Sequence, residues 1–144
     1  MSRIVLALSI VCMFSVTTIT GQTTEDTAAE ANMLATVRIT SAVMANGALL
    51  PAGTYDVRLT PERPTPLAGQ SRDARQWVEF VADGKIVARE IAEVLQDDDL
   101  PAVGASSLPV HAGTRVDMLK GGEFLRISVK RERERYLIYL PVVP

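Results

Sequence analysis

The clearest structural signal in the sequence is residues 113–141, which read GTRVDMLKGGEFLRISVKRERERYLIYLP. Apolar and polar side chains alternate along this stretch, a pattern typical of β-strands that bury one face. Gly121–Gly122 suits a two-residue hairpin turn, and a second reversal at Glu132–Arg133 divides the remainder into two more strands. We therefore predict a three-stranded antiparallel meander at the end of the chain.

The two turns together predict one register. The first places Val116 opposite Ile127, and the second places Ile127 opposite Ile138. The remaining pairs on the same face are Thr114 with Val129, Met118 with Leu125, Leu125 with Leu140, and Val129 with Tyr136. A slip of one residue would turn all these side chains to the wrong face, so the two turn placements support each other.

The opposite face of the meander carries charged and aromatic side chains. The same register places Asp117 opposite Arg126 and Arg115 opposite Ser128, so that charges of opposite sign meet across the strands. It also places Arg126 opposite Tyr139, which predicts a cation–π contact.

The middle of the chain predicts a hairpin in which Asp83–Gly84 forms the turn between strands at 76–82 and 85–94. An unbroken ladder would pair Phe80 with Val87, Val78 with Arg89, Val81 with Ile86, and Trp77 with Glu90. Both faces of that ladder mix polar and apolar side chains. Either a β-bulge shifts one strand or the hairpin is covered on both sides.

Residues 35–39 and 55–59 also alternate, and the linker between them carries two turn signals, at 46–47 and 51–53. Longer loops are predicted at 61–73 and 97–113. We find no convincing helical period. The sequence therefore predicts an all-β fold, an antiparallel β-sandwich of about seven strands, with a small β-barrel as the alternative.

Composition excludes several classes of function. The 144 residues include 15 Lys and Arg, 17 Asp and Glu, one His and one Cys, for a net charge of −2. A nucleic-acid-binding surface needs a surplus of basic side chains, which this chain lacks. One His and one Cys cannot complete a His- or Cys-based metal cage, and no motif indicates a cofactor.

Residues 1–21 have the layout of a secretory signal peptide: Arg3, then an apolar run from Ile4 to Val16, then small and hydroxylated residues. The apolar run is shorter than the ~20 residues that span a bilayer as a helix. We expect cleavage, a flexible leader at 22–33, a single all-β domain at 34–144, and no transmembrane segment afterwards. Cys12 lies in the signal, so the exported chain is predicted to be cysteine-free, which suits the bacterial periplasm or exterior.

Residues 46–59, NGALLPAGTYDVRL, together with 77–80, 85–90 and 136–141, resemble a family of small secreted β-proteins of bacteria of the Acidobacteria type, uncharacterised in function. The shared phrase is LPAGTY, which opens a strand. The resemblance covers about residues 35–141. It implies a fold and a compartment, and no activity or site residues.

Four residues are candidates for binding. Trp77 is a platform on which a sugar could stack if its ring faces outward, with Glu79 nearby as a hydrogen-bond acceptor. Arg126 and Tyr139 form the mixed charged and aromatic part of the outer face of the meander.

No catalytic residue is predicted. His111 lies in a loop without a nucleophile pattern and is interpreted as a solvated imidazole. Asp97, Asp98 and Asp99 are weak candidates for a metal site, because calcium loops space their carboxylates at alternate positions.

We therefore expect an exported, non-catalytic β-domain that acts by surface binding, or by association with itself or an envelope protein through an edge strand. One alternative is a small hydrolase or lyase that uses loop carboxylates. Another is a carrier of a small apolar ligand, in which Tyr55, Val57, Ile127 and Ile138 line a void instead of packing together.

Overall fold

The computed structural model describes residues 32–96 and 113–144, and within these ranges the chain forms nine β-strands and no helix. They are β1 (Met33–Ile39), β2 (Val43–Ala45), β3 (Ala48–Leu50), β4 (Gly53–Leu59), β5 (Arg75–Ala82), β6 (Lys85–Gln96), β7 (Gly113–Met118), β8 (Phe124–Arg131) and β9 (Glu134–Pro141). The predicted all-β fold is confirmed.

Seven of these strands form one sheet in the order β1-β4-β5-β6-β9-β8-β7, with every neighbouring pair antiparallel. The two edge strands approach each other, since β1 also contacts β7 and β8. The sheet is therefore nearly closed into a barrel, and both a sandwich and a small barrel fit this arrangement.

The predicted meander is confirmed pair by pair. Val116 lies opposite Ile127, and Ile127 lies opposite Ile138, with the other predicted partners in the same register. The predicted two-residue turn at Gly121–Gly122 is wrong in detail: the N–H of Gly122 donates to the carbonyl of Leu119, so Lys120 and Gly121 are the central residues of the turn. Gly122 has a φ of 74°, where glycine carries no steric penalty. In the turn of the second hairpin, Glu132 has a positive φ of 55°.

The β5–β6 hairpin contains a bulge, which was one of the two sequence-based alternatives. Val81 does lie opposite Ile86, but Val87 is the extra residue and Phe80 faces Ala88. The predicted pairs Phe80–Val87, Val78–Arg89 and Trp77–Glu90 are therefore wrong by one residue, and the partners are instead Ala88, Glu90 and Ile91. The bulge lets Phe80 face the core while Arg89 stays outside.

A short hairpin, β2–β3, occupies the linker in which the sequence showed only turns. Its turn residues Asn46 and Gly47 both have positive φ, as a type I′ turn requires. Val43, Ala45 and Leu50 are completely buried. The hairpin contacts β6 and β9, whose ladder extends only from Glu93–Leu137 to Gln96–Glu134. It therefore packs where those two strands separate.

The core is one cluster of buried apolar side chains drawn from the main sheet and the β2–β3 hairpin. The rings of Tyr55 and Phe80 meet edge to face at 6.3 Å. Tyr55 also donates its hydroxyl to the carbonyl of Pro51 at 2.7 Å. A Cβ on Gly53 would lie 3.4 Å from the ring of Tyr55, at ordinary van der Waals distance, so the ring packs directly over the start of its own strand.

Candidate functional site

Trp77 and Glu79 lie on the outer face of the sheet, but Trp77 is not a free platform. The guanidinium of Arg89 lies 5.4 Å from the centre of the indole ring. Arg89 also approaches Glu79 at 3.5 Å and contacts Glu62 at 2.8 Å. The hydrogen bond to Glu62 raises the pKa of Arg89 above its ordinary value. This network holds a cation against one face of the ring.

We expect Arg89→Ala to expose Trp77 to solvent. Trp77 is the one tryptophan of the chain, so fluorescence reports on this ring alone. Its emission should move to longer wavelength and acrylamide quenching should increase. Lys85→Ala, an exposed position on the same strand, should leave both unchanged, and identical spectra for the two variants would contradict the contact.

Arg126 and Tyr139 are opposite each other, as the sequence predicted. The predicted cation–π contact between them is wrong: in the described ranges the one such contact is Arg89 over Trp77. The other predicted partner of Arg126, Asp117, is confirmed: the two lie opposite each other and pair at 3.3 Å. The carboxylate of Asp117 is the stronger partner, because two full charges attract more strongly than a charge and an aromatic ring.

The four predicted binding residues therefore lie in two separate places: Trp77 and Glu79 on β5, and Arg126 and Tyr139 on β8 and β9. Trp77 faces Ile91 on β6, and Arg126 faces Tyr139 on β9. No ladder joins Ile91 to Tyr139, because the described β6–β9 pairing stops at Glu93–Leu137. Between the pairs, the outer face is closed to solvent: Ser128, Arg135 and Leu137 are all buried.

Strand β7 is the most open part of the sheet, and the sequence did not identify it as a site. Val116 and Met118 point to the core side, because their partners Ile127 and Leu125 are almost completely buried. Yet Val116 is only partly buried and Met118 is 46% exposed. Val116 packs against the margin of the core, but no side chain of β7 is fully buried, so burial falls away from β8 to this edge strand.

The backbone of β7 also has groups without a hydrogen-bond partner among the described residues. Leu119 donates its N–H to the carbonyl of Phe124. Because hydrogen-bonded positions alternate along an antiparallel pair, the N–H and C=O groups pointing away from β8 are those of Thr114, Val116 and Met118. Across the described ranges, β7 has a ladder with β8 only. An incoming strand would find these groups available.

A small polar network lies at the end of the sheet where β9 begins. Tyr136 donates its hydroxyl to Glu134, which also accepts from Gln96 at 3.2 Å. An open cavity of about 250 Å³ lies beside them, lined by Leu59, Arg131, Glu132, Glu134 and Tyr136. The hydrogen bond from Tyr136 lowers the pKa of Glu134, while burial and this bond raise the pKa of Tyr136.

This network predicts a pH-dependent contribution to stability. We expect Tyr136→Phe to lower the free energy of unfolding by about 1 kcal/mol at pH 7, because a charge-assisted hydrogen bond is lost. The depressed pKa of Glu134 means that this contribution is present above its unfolded pKa of about 4.3 and is lost as the pH falls through the folded value.

Urea titrations of both proteins at pH 7 and pH 3 test this expectation. The difference between wild type and Tyr136→Phe should shrink at pH 3. Tyr139→Phe, on the outer face, is the matched control and should show no such change. A difference that is equal at both pH values would contradict a role for the Glu134 carboxylate.

In the part of the chain that the structure describes, no group of three or more His, Cys, Asp or Glu residues could hold a metal ion. Asp97, Asp98, Asp99 and His111 lie outside these residues, as do the predicted signal peptide and most of the leader. Among the described segments, no helix is long and apolar enough to cross a membrane.

The fold and the open edge define an all-β protein whose antiparallel sheet stops short of closure at β7. No family model, no curated protein and no solved structure matches the chain.

Proposed function

We propose that this chain is an exported, non-catalytic β-domain that binds a protein partner by accepting a strand at the open edge of β7. The observation that carries the proposal is the abrupt loss of burial between β8 and β7. Ile127 is completely buried, while Val116 opposite it is only partly covered. Strand addition would satisfy the free backbone groups and cover these side chains in one step.

The edge is a better binding site than the outer face. A partner that stacked on Trp77 would have to displace Arg89, which is held by two carboxylates. A partner at Arg126 would compete with Asp117. Val116 and Met118 have no such competing polar partner to release, because their side chains are apolar.

The ligand-carrier alternative has no support in the core. Tyr55, Val57, Ile127 and Ile138 all belong to the single packed cluster of buried side chains. The carrier would instead need these four residues to line a void. The carboxylates of the hydrolase or lyase alternative, Asp97 to Asp99, lie outside the described residues.

Val116→Pro tests the proposal, because it removes an edge-facing N–H. Proline is accommodated at such positions on edge strands, so the ladder with β8 should survive. The full gene is expressed in an exporting bacterial host, and the mass is measured by size exclusion with light scattering. Wild type should form a complex with a copy of itself or an envelope protein, and Val116→Pro should lose it.

Val116→Ala is the matched control, since it shortens the side chain but keeps the N–H. It should still associate, and both variants should unfold cooperatively on heating. A wild-type protein that is strictly monomeric and forms no complex with an envelope protein would contradict the proposal. So would a Val116→Pro variant that associates as wild type does.

A further inference from the structure

We propose that the partner at the β7 edge is a second copy of this chain, paired antiparallel with β7 about a two-fold axis at Val116. This inference rests on the proposed edge association and adds the identity and register of the partner. It is carried by the order of charges along β7 and by which of its backbone groups face outward.

The backbone groups restrict the possible registers. Thr114, Val116 and Met118 direct their N–H and C=O groups away from β8, as the alternation from the Leu119–Phe124 bond shows. A ladder with a second β7 can form only if these residues face one another. Sliding one copy by a single residue would oppose them to Arg115 and Asp117, whose groups are already directed at β8.

The charges select one register from those that remain. When Val116 faces Val116 of the second copy, Arg115 faces Asp117 of that copy, and symmetry gives this pair twice. Both pairs occupy non-hydrogen-bonded positions, where facing side chains are closest. Sliding by two residues brings either Arg115 opposite Arg115 or Asp117 opposite Asp117, which is destabilising. The edge is therefore self-complementary.

The exposure of β7 is compatible with this pairing. Arg115 has a 56% exposed side chain and bonds to Asp117 within its own strand. Asp117 also pairs with Arg126 at 3.3 Å, so in the dimer the arginine of the second copy would join a carboxylate that already has two cationic partners. Strand β1 approaches β7, but no backbone ladder joins the two strands in the described ranges. Thr114 in one copy would face Met118 in the other, extending the sheet across the two-fold axis.

Cysteine cross-linking tests the register. The full chain carrying Cys12→Ser is expressed in an exporting host, so that an introduced cysteine is the only one. In the proposed dimer Val116→Cys faces itself, at a separation that a disulfide can bridge. Under mild oxidation it should give at least about tenfold more covalent dimer than Thr114→Cys, which faces Met118 and has no sulfur partner.

The double variant Thr114→Cys with Met118→Cys should cross-link as well, since each cysteine then faces one. This double variant also tests the register if Val116→Cys folds poorly. Equal cross-linking of Val116→Cys and Thr114→Cys would overturn the register, because it would reflect random collision.

Light scattering separates this inference from the proposed function. A concentration-dependent dimer that Val116→Pro abolishes supports both. A monomer that captures an envelope protein in a Val116-dependent way overturns the second copy as partner and leaves edge binding intact. A monomer that captures nothing overturns both.

Discussion

Ile138→Glu is expected to abolish cooperative folding, whereas Tyr139→Glu, one residue further along β9, is expected to change the free energy of unfolding by less than about 1 kcal/mol. Ile138 is completely buried opposite Ile127. A carboxylate there has no partner, and burying it costs several kcal/mol. That cost is comparable with the ~5–15 kcal/mol that stabilises a typical domain.

Tyr139 points to the other side of the same strand and faces Arg126. A glutamate at this position would meet a positive charge and remain partly solvated. Urea unfolding followed by circular dichroism distinguishes the two variants. Equal loss of stability in both would show that the two faces of β9 are not separated as the structure has them.

Phe80→Ala is expected to lower the free energy of unfolding by about 3–5 kcal/mol, because truncating a buried aromatic side chain loses its burial and leaves a cavity. Phe80 is completely buried on β5 and packs edge to face against Tyr55. Without the ring of Phe80, Tyr55 would lose its aromatic neighbour. The bulge in this hairpin determines which side chains of β6 face the core beside Phe80.

Ile86→Ala is the matched control in the same hairpin. Ile86 is 58% exposed, so its truncation should cost less than about 1 kcal/mol. Thermal unfolding of the two variants beside wild type gives the comparison. If Ile86→Ala proved the more damaging of the two, the burial of Phe80 and the exposure of Ile86 would be contradicted.

The meander was predictable from sequence to the residue, because two independent turns had to agree on one buried face. Gly121–Gly122 and Glu132–Arg133 fix the strand ends, and alternation around Ile127 then leaves no second solution. The β5–β6 hairpin had one turn signal only. Its mixed faces indicated a bulge, but no local signal placed the extra residue at Val87.

The β2–β3 hairpin escaped prediction because its three-residue strands are too short to show alternation. Asn46–Gly47 marked its turn correctly. What stabilises the strands is burial against β6 and β9, which only the folded chain brings together. Such tertiary contacts have no trace in the local sequence.

The candidate binding surface was predictable only in part. Strand parity placed Arg126 and Tyr139 on the outer face and left the direction of Trp77 open. The register predicted two partners for Arg126, and only the charge pair with Asp117 is found, because the side-chain rotamer decides which neighbour the guanidinium contacts. An edge strand was expected, but which strand would be least covered depends on how far the sheet closes.

The contact between Gly53 and Tyr55 bears on how the LPAGTY phrase should be understood. The ring of Tyr55 folds back over the backbone two positions earlier, where a Cβ at Gly53 would meet it at 3.4 Å, an ordinary van der Waals distance. Together with the hydrogen bond from the Tyr55 hydroxyl to the carbonyl of Pro51, this packing is local to the turn. Any strand that opens in this way can make the same contacts, whatever its ancestry. The phrase can therefore arise by convergence in unrelated proteins, and kinship needs evidence from the rest of the chain.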